Sequence, residues 1–334
     1  MANTVIMNKQ KKTMILGVVC LICVIITAVV LMQLQKSTST SGKGSDGNTS
    51  ESSASYRQLT IDGKVYDFNT KLISILCLGV DSTNPENQGQ SDVIDLLIFD
   101  RENKRMEVLS ISRDAMVDIR LFDPAGRELG WDKQHLALAY SYGHSKSNGA
   151  LLSADAVSKM LHDIPIVYYA VGDLDIISKV QEVVGELTVV VPDDSLSYLG
   201  PQWSKGTAVT LHSTNVETFL RSRNTDMDFS NSNRMQRQKA YIEAYVVRLK
   251  ELLAEDFDGT LTKLAKLYAS VDSNVSLQEI SAFAEMALEY TFDEDSFHIA
   301  PGEDESGFNH DEFKIDEEAL NKLVLDLFYK ERER

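Results

Sequence analysis

Arg221, Arg223, Arg234 and Arg237 crowd into one short stretch, followed at once by Gln238 and Lys239. The chain as a whole carries a formal charge of −17, so a generally basic composition does not account for the cluster. Guanidinium groups held close together repel one another. The usual reason to keep them so is an anionic ligand, most often phosphate, whose oxygens a planar fork grips in pairs. A surface on which each arginine finds its own carboxylate is an equal reading of the cluster taken alone. Asp81, Asp92 and Arg113 tip that balance, because each lies at the end of an apolar, strand-like run. Two carboxylates and an arginine brought together suit a hard cation such as Mg2+ (or Mn2+) with a phosphate.

Whether they come together depends on the elements that carry them. Residues 73–80, 93–99 and 106–111 read as strands, and 100–104 is long enough only for an antiparallel hairpin. The loop 81–92 lacks the pattern of a crossover helix. The three runs therefore form a meander that leaves Asp81, Asp92 and Arg113 at one edge of the sheet. Residues 58–69 alternate about Asp62-Gly63, a hairpin signal. Helical periodicity at 149–162 and 174–184 flanks strands at 166–171 and 187–191.

A short helix over 215–219 leads into Arg221 and Arg223, whose spacing puts both on one face only if the chain is extended there. A long helix opens at Asn233, with Arg234, Gln238, Ile242, Tyr245 and Leu249 in one stripe. The dipole at a helix N-terminus disfavours an arginine but welcomes an anion, so a phosphate there would suit Arg234 and Gln238 together. Arg237 lies one position off the stripe and is expected on the surface. Residues 261–268, 277–290 and 317–329 add helices packed around the same sheet, without a catalytic signature.

Residues 14–32 carry no charge, and at about 1.5 Å per residue such a run spans a bilayer core. Lys9, Lys11 and Lys12 precede it, which places the N-terminus in the cytoplasm and the rest outside. A cleaved signal peptide is the competing reading, disfavoured by the length of the run and the lack of a small-x-small site behind it. The expected organisation is a tail (1–12), a signal-anchor (13–34), a flexible Ser/Thr/Gly linker (35–56) and an extracellular domain (57–334). That domain divides into a core (73–253) and a C-terminal helical part (254–334). Beyond residue 35, 30 basic residues face 50 acidic ones, which argues against nucleic acid as a partner. Cys77 is the one cysteine beyond the span, so no intramolecular disulfide forms there. The six histidines show no zinc-binding spacing.

The ordered set Leu-Gly-Val-Asp81, Ser91-Asp92, Ser112-Arg113-Asp114, Ala139-Tyr-Ser-Tyr-Gly143, Arg221-x-Arg223 and Arg234-x-x-Arg-Gln238 resembles the LytR-CpsA-Psr family of cell-envelope glycopolymer transferases. The resemblance runs from Ile73 to about Leu253. It implies an α/β (α+β) fold with a central mixed, largely antiparallel sheet flanked by helices and an apolar pocket for a polyprenyl chain. It also implies transfer of an anionic glycopolymer, such as teichoic acid or capsule, from undecaprenyl pyrophosphate to a peptidoglycan hydroxyl. On that resemblance Asp81 and Asp92 are the Mg2+ ligands, and Asp92, Arg113, Arg221 and Arg223 carry the chemistry. Arg113, Arg221, Arg223, Arg234 and Gln238 bind the pyrophosphate, with Gln90 and His135 beside them.

Two positions depart from the family pattern. Gln90 stands where the family has arginine, and His135 where it has lysine. A charge-assisted hydrogen bond to the phosphate is worth roughly 1.5–3 kcal/mol, and each departure forgoes one. A prenyl-pyrophosphate hydrolase and a non-catalytic carrier-binding regulator are therefore the alternative readings of the same site.

Overall fold

The computed structural model describes residues 58–332 except 82–88, 174–175, 223–231, 308–310 and parts of 277–288. The expected tail, span and linker, and Arg223, lie outside the described residues. Among those described, no helix is long and apolar enough to cross a membrane.

Asp62 and Gly63, at φ 53° and 76°, turn β1 (Gln58–Ile61) into β2 (Lys64–Phe68), a two-residue hairpin of the kind Asp-Gly favours. The apolar runs then become β3 (Leu72–Val80), β4 (Ser91–Asp100) and β5 (Arg105–Ile111), paired antiparallel in sequence as expected. They read as nearly continuous apolar stretches because both sheet faces are covered. Ile75, Cys77, Leu97 and Phe99 enter one core cluster, while Leu76, Leu78, Leu96 and Ile98 enter the other.

A second hairpin leaves the sheet edge just after Arg113, formed by β6 (Met116–Phe122) and β7 (Glu128–His135). The short helix α1 (Leu138–Ser141) and the longer α2 (Lys146–Met160) follow, and lead to β8 (Tyr168–Asp173), which lies parallel to β3. Next come α3 (Ile176–Val184), the small hairpin of β9 (Leu187–Val190) and β10 (Ala208–Leu211), and α4 (Val216–Arg221). The long helix α5 (Ser232–Glu255) precedes α6 (Phe257–Tyr268).

The region beyond residue 254, expected to be helical, also supplies strands. β11 (Val271–Ser273) pairs with β8, and β12 (Phe297–Ile299) lies parallel to β5. The central sheet thus has six strands in the order β11-β8-β3-β4-β5-β12. β13 (Gly302–Ser306) and β14 (Asp311–Ile315) form a separate hairpin. Finally α7 (Glu317–Phe328) covers the Leu96 face, and β15 (Tyr329–Glu331) pairs with β2. Helices α3, α5 and α6 cover the opposite face. Three layers result, with the candidate site at one end of the central strands.

Candidate functional site

The meander delivers its polar residues to one place. Asp81 follows β3, Asp92 is the second residue of β4 and Arg113 lies two residues beyond β5. Gly89, at φ 78°, lets the chain turn back so closely that a Cβ there would run into the Asp81 carbonyl oxygen. The Ser141 hydroxyl donates to the Gly89 carbonyl at 2.7 Å, fixing that approach. Gly143, in the same Ala139–Gly143 motif, packs directly on the Gly149 backbone at the start of α2. The end of β7 closes the frame, since Ser91 N donates to Ala137 O at 3.3 Å and Ala137 N to Arg113 O at 3.0 Å.

Asp92 is the hub. It is 1% exposed, and its Oδ1 accepts from Arg113 Nη1. Arg234 Nη2 donates to the Asp92 backbone carbonyl at 3.4 Å. Burial pushes the Asp92 carboxyl up to about 6. Arg113, Arg234 and Arg221 pull against that shift, while the neighbouring Asp81 charge adds to it. Asp81 and three of the expected arginines therefore act on the Asp92 carboxyl. Arg221 is also paired with Glu217 in α4.

Arg234, Gln238, Ile242, Tyr245 and Leu249 are all buried along α5, as the stripe requires. Arg237 is the correction. It is 0% exposed, not a surface residue, and it reaches Phe219 O, Ser195 Oγ and Ser222 O. The apolar stripe of α5 is wide enough to take in Tyr241, one turn beyond Arg237, and that buried neighbour is the available signal.

The two departures find specific partners. Gln90 Oε1 accepts from Arg113 Nη2, so an acceptor at this position steadies the arginine that holds Asp92. His135 Nδ1 lies 3.7 Å from Asp114, whose carboxylate is itself 3.3 Å from Arg113 Nε. Asp95, unremarked within its apolar run, is fully buried on the other face of β4, and desolvation pushes its carboxyl up to about 7 against a hydrogen bond from Ser110.

Among the described residues, the buried polar atoms at the site without a hydrogen-bond partner include Asp92 Oδ2 and Gln238 Nε2. One accepts and one donates, as expected where a cation and an anion bind side by side. Among the described residues no group of three or more His, Cys, Asp or Glu could hold a metal alone. Mg2+ does not require one, because it is commonly held by one or two carboxylates, water and substrate phosphate. Asp81 and Asp92 fit that pattern.

These features define an α/β protein with an arginine- and aspartate-lined site at the strand ends of a mixed, largely antiparallel sheet. The chain belongs to the LytR_cpsA_psr family, whose sequence profile matches residues 29–327. TagT of Bacillus subtilis (strain 168), a polyisoprenyl-teichoic acid–peptidoglycan teichoic acid transferase, is 28% identical over 228 residues, covering 64% of this chain and 65% of TagT. TagU of Halalkalibacterium halodurans, of the same activity by name, is 28% identical over 206 residues, 60% of this chain and 59% of TagU. The alignments thus span less than two thirds of these relatives' own lengths. The crystal structure of B. subtilis TagV is similar at a TM-score of 0.57 and 26% identity, over 77% of this chain and 97% of that one. TagT bound to LI-WTA matches at a TM-score of 0.55 and 22% identity, over 77% and 90%, a likeness of fold.

Proposed function

We propose that this protein is a membrane-anchored, Mg2+-dependent phosphotransferase that moves an anionic glycopolymer from a polyprenyl-pyrophosphate carrier to peptidoglycan outside the cell. The observation that carries the reading is the convergence of Arg113, Arg221 and Arg234 on the buried Asp92, with Asp81 beside it. Such an arrangement suits phosphoryl transfer, where catalysis is mostly positioning and charge stabilisation. The relatives' names support the substrate class, and the uncharged run at 14–32 supports the anchor.

In this reading an acceptor hydroxyl oxygen attacks the sugar-linked phosphorus. The bond to the bridging oxygen breaks, polyprenyl phosphate leaves with the electron pair, and the hydroxyl proton passes to that phosphate or to water. Arg221, Arg223 and Arg234 hold the pyrophosphate oxygens, with Gln238 donating from α5. Arg113 keeps Asp92 ionised and oriented. A bound Mg2+, held by Asp81 and Asp92, would neutralise charge on the phosphate oxygens. The polyprenyl chain would lie along the apolar layer between the sheet and α3, α5 and α6.

Full-length protein in detergent, given farnesyl pyrophosphate and Mg2+, tests the reading. Phosphate release is expected, and Asp92→Ala and Arg113→Ala should each lower it at least a hundredfold. Lipid binding without release would leave the non-catalytic reading, which the absence of arginine at Gln90 and of lysine at His135 favours. Release that a peptidoglycan fragment fails to divert into a phosphomonoester on its hydroxyl would mark a hydrolase instead.

A further inference from the structure

Arg237 has no part in the transfer chemistry, although its side chain is completely buried. Its Nε donates to Phe219 O at 2.8 Å and its Nη2 to Ser222 O at 2.7 Å. Nη1 donates to Ser195 Oγ and lies 3.5 Å from Asp193 Oδ1. The two carbonyls flank Arg221, two residues before it and one after. Arg237 itself stands three residues after Arg234 and next to Gln238 on α5.

We infer that Arg237 is a positioning residue. It pins the end of α4 to the first turns of α5, and so fixes Arg221 on one element relative to Arg234 and Gln238 on the other. α4 has six residues, too few for a helix to hold its own geometry. Its last turn therefore takes its direction from what grips it, and Arg237 grips it on both sides of Arg221. The guanidinium reaches acceptors in three directions from one rigid plane, which a lysine ammonium on a flexible stem does not reproduce. Asp193 and Ser195, from the segment after β9, complete the clamp. This inference rests on the anion-binding reading of the site.

The test measures Mg2+-dependent binding of inorganic pyrophosphate to the full-length protein in detergent by calorimetry, alongside thermal melting. Arg237→Lys is expected to melt cooperatively and to bind pyrophosphate at least tenfold more weakly than the parent. Arg221→Ala should weaken binding to a similar degree. The double variant should bind within about twofold of Arg221→Ala alone, because nothing then remains for Arg237 to position. A residue that merely glued the fold would lower the melting temperature and leave the affinity of the folded protein unchanged. That result, or losses that multiply in the double variant, would overturn the inference. Ser195→Ala, which removes one acceptor and no charge, should give a smaller loss of the same kind and carries the test if Arg237→Lys does not fold. A parent protein that binds no pyrophosphate would sink the functional reading and this inference together. A parent that binds while Arg237→Lys binds equally well would sink the inference alone.

Discussion

Asp92 and Asp95 stand three residues apart on β4, on opposite faces, and burial pushes both carboxyls up, to about 6 and about 7. Their surroundings differ. Asp92 has an ion pair with Arg113 and the fields of two further arginines, whereas Asp95 has a hydroxyl from Ser110 and, among the described residues, an Oδ1 without a partner. Between about pH 4 and pH 7 the folded protein keeps a proton on Asp95 that the unfolded chain has released. Stability therefore falls as pH rises through that window, by an amount on the order of 4 kcal/mol. Asp95→Asn, which cannot titrate, should flatten this part of the profile and raise stability at pH 7. Urea denaturation at pH 4.5, 6 and 7.5 checks it, and a parent profile as flat as the variant's would refute the assignment.

At the scale of elements, the site is a product of close backbone approaches. Gly89 lies against Asp81 and is held there by Ser141. Gly89→Ala puts a side chain into that contact at a left-handed φ, a strain of roughly 1–3 kcal/mol. It should impair phosphate release far more than it lowers the melting temperature, and equal losses in both would show that the turn serves only the fold. The meander and the α5 stripe can be read from the chain because long apolar runs and a 3.6-residue period state their geometry locally. β11 and β12 cannot, since three residues carry no alternation and their partners lie far away in sequence. Tyr241 hints that Arg237 is buried, but the partners of Arg237 escape the sequence for a related reason. Its acceptors are mostly backbone carbonyls of α4 and its flank, and a carbonyl leaves no mark in a sequence.

At the scale of the whole molecule, the part beyond residue 253 is structural. β12 completes the sheet beside β5, and Leu320, Val324 and Phe328 of α7 cover the face that holds Leu96 and Ile98. Ending the chain after Leu253 would expose that face and should abolish cooperative melting. A truncated protein that still melts in one sharp transition would show that 73–253 stands alone.

The small sheet β1-β2-β15 sets the first and the last described strands on either side of β2, with Gln58 and Lys330 both opposite Asp67. A chain that emerges N-terminus first, from a ribosome or through a translocation pore, cannot close this sheet until residues 329–331 arrive. Until then β2 keeps an open edge and the Leu96 face lacks α7. Closure thus waits on residues 329–331. Any factor that protects the unfinished chain must stay until that last strand of the small sheet has arrived.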